Sequence, residues 1–437
     1  MDEKVKFKVA IITHFSNKET REKLPLDYKR KLYLFVNRLF GRKLSKNSIT
    51  YGDISPWVTN TIHELEKRDD IELYVISAHT GMKKSLSDFQ IRNVHYFFFN
   101  TDFTLFLKRI IKNDDLWRKI EPNRRRVHKI IKTIQPDIIN LIGADGAYFS
   151  TTILGIDNIP VYVSLQTVYS NPQRKLFDTV DSKNWTTEVE IHKKEKYFGS
   201  SGKMHTNLLL NNNPEAIIFE MKFPPNRFPS IPEKNKIYDF VTFAQSCSNK
   251  KGTFDAIKAI SILKKKYPTI TLNVCGSRDN DSIKIMEDII KKYDLKDNII
   301  FTDFFEKQID LFYHLKQSKF AVLPIKLDII SGTVIQAMAL GLPVVSNITS
   351  GTPELNKEKE CVLLCEIDNI EELAQKMMLV YENEELAKKL RVNAYEYYKS
   401  HYDPTDSVNK LVEDLNAVYQ HFHFGAEIPT HLLFNHQ

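Results

Sequence analysis

The stretch "LDIISGTVIQAMALGLPVVSNITSGTPEL", residues 327–355, decides the fold. It follows an apolar run, "FAVLPI", that reads as a buried strand. Ser331 is well placed as a helix N-cap, with the small residues Gly332 and Thr333 behind it. The helix "TVIQAMAL" closes at Gly341, a suitable residue just past a helix end, with Pro343 beyond it. "LPVVSN" is a second buried strand, and Gly351, Thr352, Pro353 and Glu354 form a second helix start with Pro at the first position. A helix start with small residues leaves its first N–H groups accessible, and such a start attracts anions. Either start alone reads as simple capping. Two of them flanking one strand, each at the carboxyl end of a strand, point to an anion cradle in an open α/β sheet.

Outward from this stretch the alternation continues. "YDFVTFAQS", "ITLNVCGS", "NIIFTDF" and "CVLLCE" are further strands. "KKGTFDAIKAISILKKKYP" is a helix that turns Phe254, Ile257, Ile260 and Leu263 inward. Its start, "SCSNKKG", again follows a strand, so Lys250 and Lys251 are placed to meet phosphate as point charges or to stand as a solvated pair. In the first half, "KVAIITHF", "IELYVISAH", "DIINLIG" and "PVYVSLQ" read as strands separated by helical patterns. A polar, basic insertion reaches to residue 50, and residues 167–185 are loop-rich. "FPPNRFPSIPEKNK", 223–236, concentrates prolines and charges as a linker does. The expected organisation is residues 1–222 as one Rossmann-like domain, 223–236 as linker and 237–404 as a second such domain. Residues 405–437 form a terminal helix and tail. No GxGxxG occurs, which argues against a dinucleotide site.

The composition excludes several classes. With 437 residues, 42% hydrophobic and 27% charged, the chain is globular and large enough for two domains. A net charge of +7 is modest, and no nucleic-acid partner is expected. Cys247, Cys275, Cys361 and Cys365 show neither disulfide nor metal spacing and read as core packing. No metal-binding histidine pattern exists, and His14, after the first strand, either faces the cleft or packs in place. The start lacks the features of a signal peptide, and no apolar run reaches the ~18 residues of a membrane span, so a cytoplasmic location is expected. "YKRKLYLFVNRLFGRKL", 28–44, mixes basic and apolar residues. It reads as an amphipathic cover for the domain or as a helix at an anionic membrane surface.

The second half resembles the retaining glycosyltransferases of the GT-B fold, specifically glycosyltransferase family 4. "NKKGTFDAIKAISILKKKYPTITLNVCGS" and "QAMALGLPVVSNITSGTPEL" carry the resemblance across most of residues 237–400. "GDISPWVTNTIHELEKRDDIELYVISAH" and "QPDIINLIGADG" carry a weaker one in the first half. The resemblance implies two Rossmann-like doubly wound domains facing a cleft, with the terminal helix crossing back to the first. It implies a retaining, metal-independent transferase with no cofactor. The donor would be a UDP-, GDP- or other nucleotide sugar, and the acceptor a glycan, lipid-linked or protein group, with peripheral membrane contact where the acceptor is lipid-linked. By position, Lys251 matches the phosphate-binding Lys, and Asp328 and Gln336 match the two Glu of the Glu-x7-Glu motif. Gly52 matches the first-domain loop near the diphosphate, and Gly351, Thr352 and Glu354 match the second anion-facing turn. Gln166 stands where the family often has a His near the donor sugar, Ser246 where it has an Arg, and Gln336 is neutral where the family's Glu grips the ribose. Under the resemblance, Lys326 or Lys250 would substitute for the missing Arg charge. Two other readings remain: an inactive GT-B protein that binds a nucleotide sugar or a partner, and a nucleotide-sugar epimerase.

Overall fold

The computed structural model describes residues 6–25, 53–101, 121–172, 174, 182–225, 227–229, 231–305 and 307–434. Gly52 and the basic stretch 28–44 lie outside the described residues, as does much of the segment 173–181.

Among its described residues the first domain contains eight strands: β1 (Phe7–Thr13), β2 (Ile71–His79), β3 (Leu86–Ile91), β4 (Val94–Asn100), β5 (Ile138–Ile142), β6 (Val161–Ser164), β7 (Tyr197–Ser200) and β8 (Ile217–Glu220). Its helices are α1 (Lys18–Lys23), α2 (Pro56–Leu65), α3 (Glu121–Ile134), α4 (Ala147–Ser150), α5 (Ser182–Lys194) and α6 (Lys203–Asn212). The second domain contains β9 (Tyr238–Ser246), β10 (Leu272–Ser277), β11 (Ile299–Thr302), β12 (Ser318–Leu323), β13 (Val344–Asn347) and β14 (Val362–Cys365). Around them are α7 (Thr253–Leu263), α8 (Asn280–Lys292), α9 (Gln308–Leu315), α10 (Gly332–Ala339), α11 (Ile370–Glu382) and α12 (Glu384–His401). The last helix, α13 (Pro404–Phe424), follows.

The strand orders locate the functional ends of both sheets. The second domain runs β11-β10-β9-β12-β13-β14, all parallel. Chain direction across the sheet therefore reverses between β9 and β12. The first domain runs β3-β4-β2-β1-β5-β6-β7-β8, with its own reversal between β1 and β5. At such a switch point the loops leaving the two central strands diverge to opposite faces and open a crevice beyond their carboxyl ends.

Both sheets are buried on both faces, as parallel sheets covered by helices must be. Along β1, Val9 and Ile11 enter one core while Ala10 and Ile12 enter the other. In β12, Phe320 and Val322 divide from Ala321 and Leu323 in the same way. Phe254, Ile257, Ile260 and Leu263 of α7 are all buried, as the helical spacing predicts. The four cysteines are buried and unbridged.

Helix α13 returns to the first domain and buries Val408, Leu411, Val412, Leu415 and Val418 in its core. Tyr162 of β6 donates to the buried carboxylate of Asp414 at 3.1 Å, and Lys410 reaches the other oxygen at 2.6 Å. Arg227, between the domains, forks onto Glu64 of α2 with two contacts of 3.1 Å and reaches Thr405 at 2.6 Å. Among the described residues no helix is long and apolar enough to cross a membrane.

Several elements differ from the sequence expectation. A hairpin, β3–β4, follows β2, and two four-residue strands, β7 and β8, extend the sheet. The second start at Gly351 is a single 3-10 turn, Thr352–Asn356, rather than an α-helix.

Candidate active site

The second domain's switch point holds the charged residues the sequence singles out. Asn249–Lys251 form a 3-10 turn after β9, and Gly252 then starts α7 with φ +72°. A Cβ at Gly252 would lie 1.9 Å from the carbonyl oxygen of Pro324, at the end of β12. Glycine alone lets the two central loops approach this closely. Gly252→Ala is therefore expected to lower stability by at least about 2 kcal/mol, combining a left-handed backbone with a main-chain clash. A chemical denaturation curve superimposing on that of the unaltered protein would rule this account out.

Lys251 and Asp328 meet across the crevice, Nζ to Oδ2 at 2.5 Å, and both remain partly open to solvent. Lys250 is exposed, and its carbonyl accepts the N–H of Lys326 at 3.0 Å. Lys326 is buried: its ammonium pairs with Asp255 of α7 at 2.7 Å and Asp368 at 2.5 Å, and donates to Asn249 at 3.1 Å. Burial draws its pKa down, but the two carboxylates outweigh this and the net direction is upward. The ammonium thus cross-links the loops after β9, β12 and β14. Ser246, at the end of β9, is exposed.

Helix α10 begins at the far side of the crevice. Ser331 is its N-cap, but its hydroxyl contacts Thr333 Oγ1 at 3.0 Å and makes no capping bond. The intrahelical bonds begin at Val334, so the N–H groups of Gly332 and Thr333 precede the ladder. Gly332 is exposed, and a Cβ there would meet nothing within 4 Å. Gln336 lies half-buried one turn further on. Gly351 packs beneath this loop, where a Cβ would fall 2.5 Å from Ile329 Cγ2. The Thr352 hydroxyl is spent inside its turn, donating to Asn347 O at 2.9 Å and accepting from Thr349 N at 2.8 Å. Glu354 pairs loosely with Lys357 at 3.6 Å.

The same loop touches the other domain. A Cβ at Gly202, just beyond β7, would lie 2.9 Å from Ile329 Cγ2. Ile329 is thus wedged between Gly202 and Gly351, and the carboxyl ends of the two sheets face each other. In the first domain, His14 leaves β1 and Tyr148 of α4 lies beyond β5. The Tyr148 hydroxyl and His14 Nδ1 are hydrogen-bonded at 2.5 Å. Burial, aided by His79, pushes the His14 pKa down to about 4, so the imidazole is neutral near pH 7. Ser55, the αL N-cap of α2, donates to the His14 carbonyl at 3.0 Å. Gln166, after β6, is half-buried and donates to Ile142 O at 3.3 Å.

Lys251, Asp328, the α10 start and the Gly351 turn therefore share one crevice. Gln166 and His14 belong to the facing domain. Asp145 lies within the "QPDIINLIGADG" stretch, but the sequence assigned no role to it or to Tyr148; both acquire a place through the strand order. Among the described residues, no three His, Cys, Asp or Glu side chains are grouped as for a metal ion.

Two facing doubly wound domains of this kind recur among solved structures. The chain aligns with a sucrose-phosphate synthase from Thermosynechococcus elongatus at 12% identity and TM-score 0.62, over 96% of this chain and all of that one. It aligns with a trehalose-6-phosphate structure from E. coli, bound with UDP-2-fluoro glucose, at 12% identity and TM-score 0.65, over 93% and 98%. These likenesses show the fold. Residues 226–397 match the family described as glycosyl transferases group 1. The chain has the GT-B fold, and the glycosyl transferase match lies in its second domain. An uncharacterized glycosyltransferase of Haemophilus influenzae is 25% identical over 305 residues, which span 67% of this chain and 79% of the relative. The family match covers the β9–β12 crevice and α10 in full.

Proposed function

We propose that this GT-B protein is a retaining hexosyltransferase that moves a sugar from a nucleoside diphosphate sugar to a glycan or glycoconjugate acceptor without a metal. The observation that carries the reading is Lys251 beside the open start of α10, at a switch point that faces the other domain.

The chemistry follows from where charge develops. As the anomeric C1–O bond breaks, negative charge accumulates on the departing diphosphate. Lys251 and the N–H groups of Gly332 and Thr333 are the positive groups aimed at it. The acceptor hydroxyl adds to C1 from the same face, and its proton passes to the departing phosphate oxygen. Asp328 holds Lys251 in place until the donor arrives and then faces the donor sugar. Gln336 hydrogen-bonds the ribose as a neutral partner. The same proposal places the protein in the bacterial cytoplasm, at the inner face of the membrane where its acceptor is lipid-linked.

The test is a melting panel with UDP-, GDP-, ADP- and CMP-linked sugars, with Lys251→Ala as control. A donor at 100 times its dissociation constant adds about 2.7 kcal/mol to the folded state. One nucleotide class is expected to raise the melting temperature of the unaltered chain, and the shift is expected to shrink in the variant. No shift with any donor would turn the reading toward a GT-B fold kept for binding another partner.

A further inference from the structure

The first domain's switch point is built as carefully as the second's, yet the donor chemistry above draws on no side chain of its β5 loop. The loop after β5 runs Gly143-Ala144-Asp145-Gly146-Ala147. Gly143 adopts φ +91°, and its N–H donates to Ser164 O at 3.0 Å. A Cβ at Gly146 would fall 2.0 Å from the ring of Phe149. Ser150 ties the loop from beneath, donating to Gly143 O at 2.9 Å and accepting from Gly146 N at 3.1 Å. The loop is therefore fixed in shape by its own packing.

Four of its five residues are buried, and Asp145 alone has access to solvent. Among the described residues, its carboxylate forms no ion pair and takes no hydrogen bond from another residue; only its own N–H donates to it. Arg174 acts on it at longer range, while the protein crowding around it raises its pKa. Across the switch point stands the His14–Tyr148 pair, which is neutral and supplies no countercharge. A crowded carboxylate without donors is costly unless something else brings them. The diphosphate is not that partner, because it is anionic and its cations lie in the facing domain. A neutral polyol is suitable, since each hydroxyl carries a donor proton for a carboxylate oxygen.

We infer that Asp145 is the acceptor-binding carboxylate, receiving hydrogen bonds from hydroxyl groups of an uncharged sugar seated at the β1/β5 switch point. This rests on the transferase reading and adds the acceptor's chemical class to it. The carboxylate orients the acceptor and moves no proton. It also selects against acceptors that present a phosphate or carboxylate at this point, because like charges repel in a partly desolvated site.

The experiment uses the full chain, the donor selected by the melting panel, and uncharged methyl glycosides as acceptor probes. Transfer to water and transfer to probe are followed separately. Asp145→Asn is expected to raise the probe KM by about tenfold or more, the effect of losing a hydrogen bond to a charged group. Donor affinity and transfer to water should stay within about twofold, and the melting temperature should be retained. A donor affinity that falls in step would overturn the assignment and move Asp145 to the donor side. An unchanged probe KM would overturn it as well, as would the failure of every methyl glycoside to raise donor turnover above transfer to water. Failure of the transferase reading has a different signature: the unaltered chain would neither bind nor consume any donor.

Discussion

Lys251→Ala is expected to lower kcat/KM for the nucleotide sugar by about 10²–10³-fold while leaving the melting temperature nearly unchanged. The two halves of this expectation rest on different physics. In the free protein Lys251 is paired with Asp328 at 2.5 Å, and both side chains keep about a quarter to a third of their exposure. A pair this open contributes at most about 1 kcal/mol to folding, because water screens it and two side chains lose freedom to make it. In the closed site the same ammonium faces charge that appears only as the donor breaks. There a preorganised positive group contributes about 2.7–4 kcal/mol, which is the stated loss in rate. Lys251→Arg keeps the charge and should recover part of the loss, since a wider fork cannot fully replace a point charge in the same turn. Steady-state kinetics on the three proteins, with melting curves beside them, decide it. A rate within threefold of the unaltered chain would remove Lys251 from the phosphate site. A large drop in melting temperature would make it a structural residue.

Much of the second domain was legible because its strands are buried on both faces and read as unbroken apolar runs, "VTFA", "FAVL" and "PVV". Their helices open at small, cap-type residues and keep a 3.6-residue period, so the α10 start and the Lys251 turn emerged directly. The β7 and β8 strands did not. "YFGS" and "IIFE" are four residues each, too short for periodicity to separate them from loop. The turn at Gly351 was mistaken for a helix start because Thr-Pro-Glu satisfies the same first-turn chemistry in a 3-10 turn. Asp145 was invisible for another reason. Nothing in "IGADGAYF" distinguishes its carboxylate until β5 is known to lie beside β1. Lys326 shows the limit most clearly. Sequence placed a positive charge near the crevice, but one of the carboxylates that occupy it, Asp368, lies 42 residues further along the chain. Pairing of that kind is decided by the sheet order, not by local pattern.

That pairing sets the second large effect. Lys326→Ala is expected to destabilise the second domain by about 3–5 kcal/mol, the cost of leaving a buried charge without its partner. The side chains of Lys326 and Asp255 are only 3% and 5% exposed. Asp368, at 61%, stays hydrated when the ammonium is gone and adds little. The stranded charge is therefore Asp255, left with only the looser Lys258 pair at 3.8 Å, and Asp255→Asn in the Lys326→Ala background should recover a substantial part of the loss. The pH dependence has a definite sign. The folded-state pKa of Lys326 is raised, so its contribution is complete at neutral pH and is lost only as pH climbs past the ordinary lysine range. Turnover should fall too, through position rather than contact. Lys326 holds Asn249 at 3.1 Å by its side chain and Lys250 O at 3.0 Å by its backbone, and so it sets the spacing of Lys251 and Asp328. Denaturation of the single and double variants, with donor affinity measured at a temperature where all are folded, separates the two roles. If the double variant stays as unstable as Lys326→Ala, the buried pair is not the source of the cost. If Lys326→Ala folds normally but binds donor tenfold more weakly, the ammonium acts on phosphate directly, as a substitute for the Arg that Ser246 replaces.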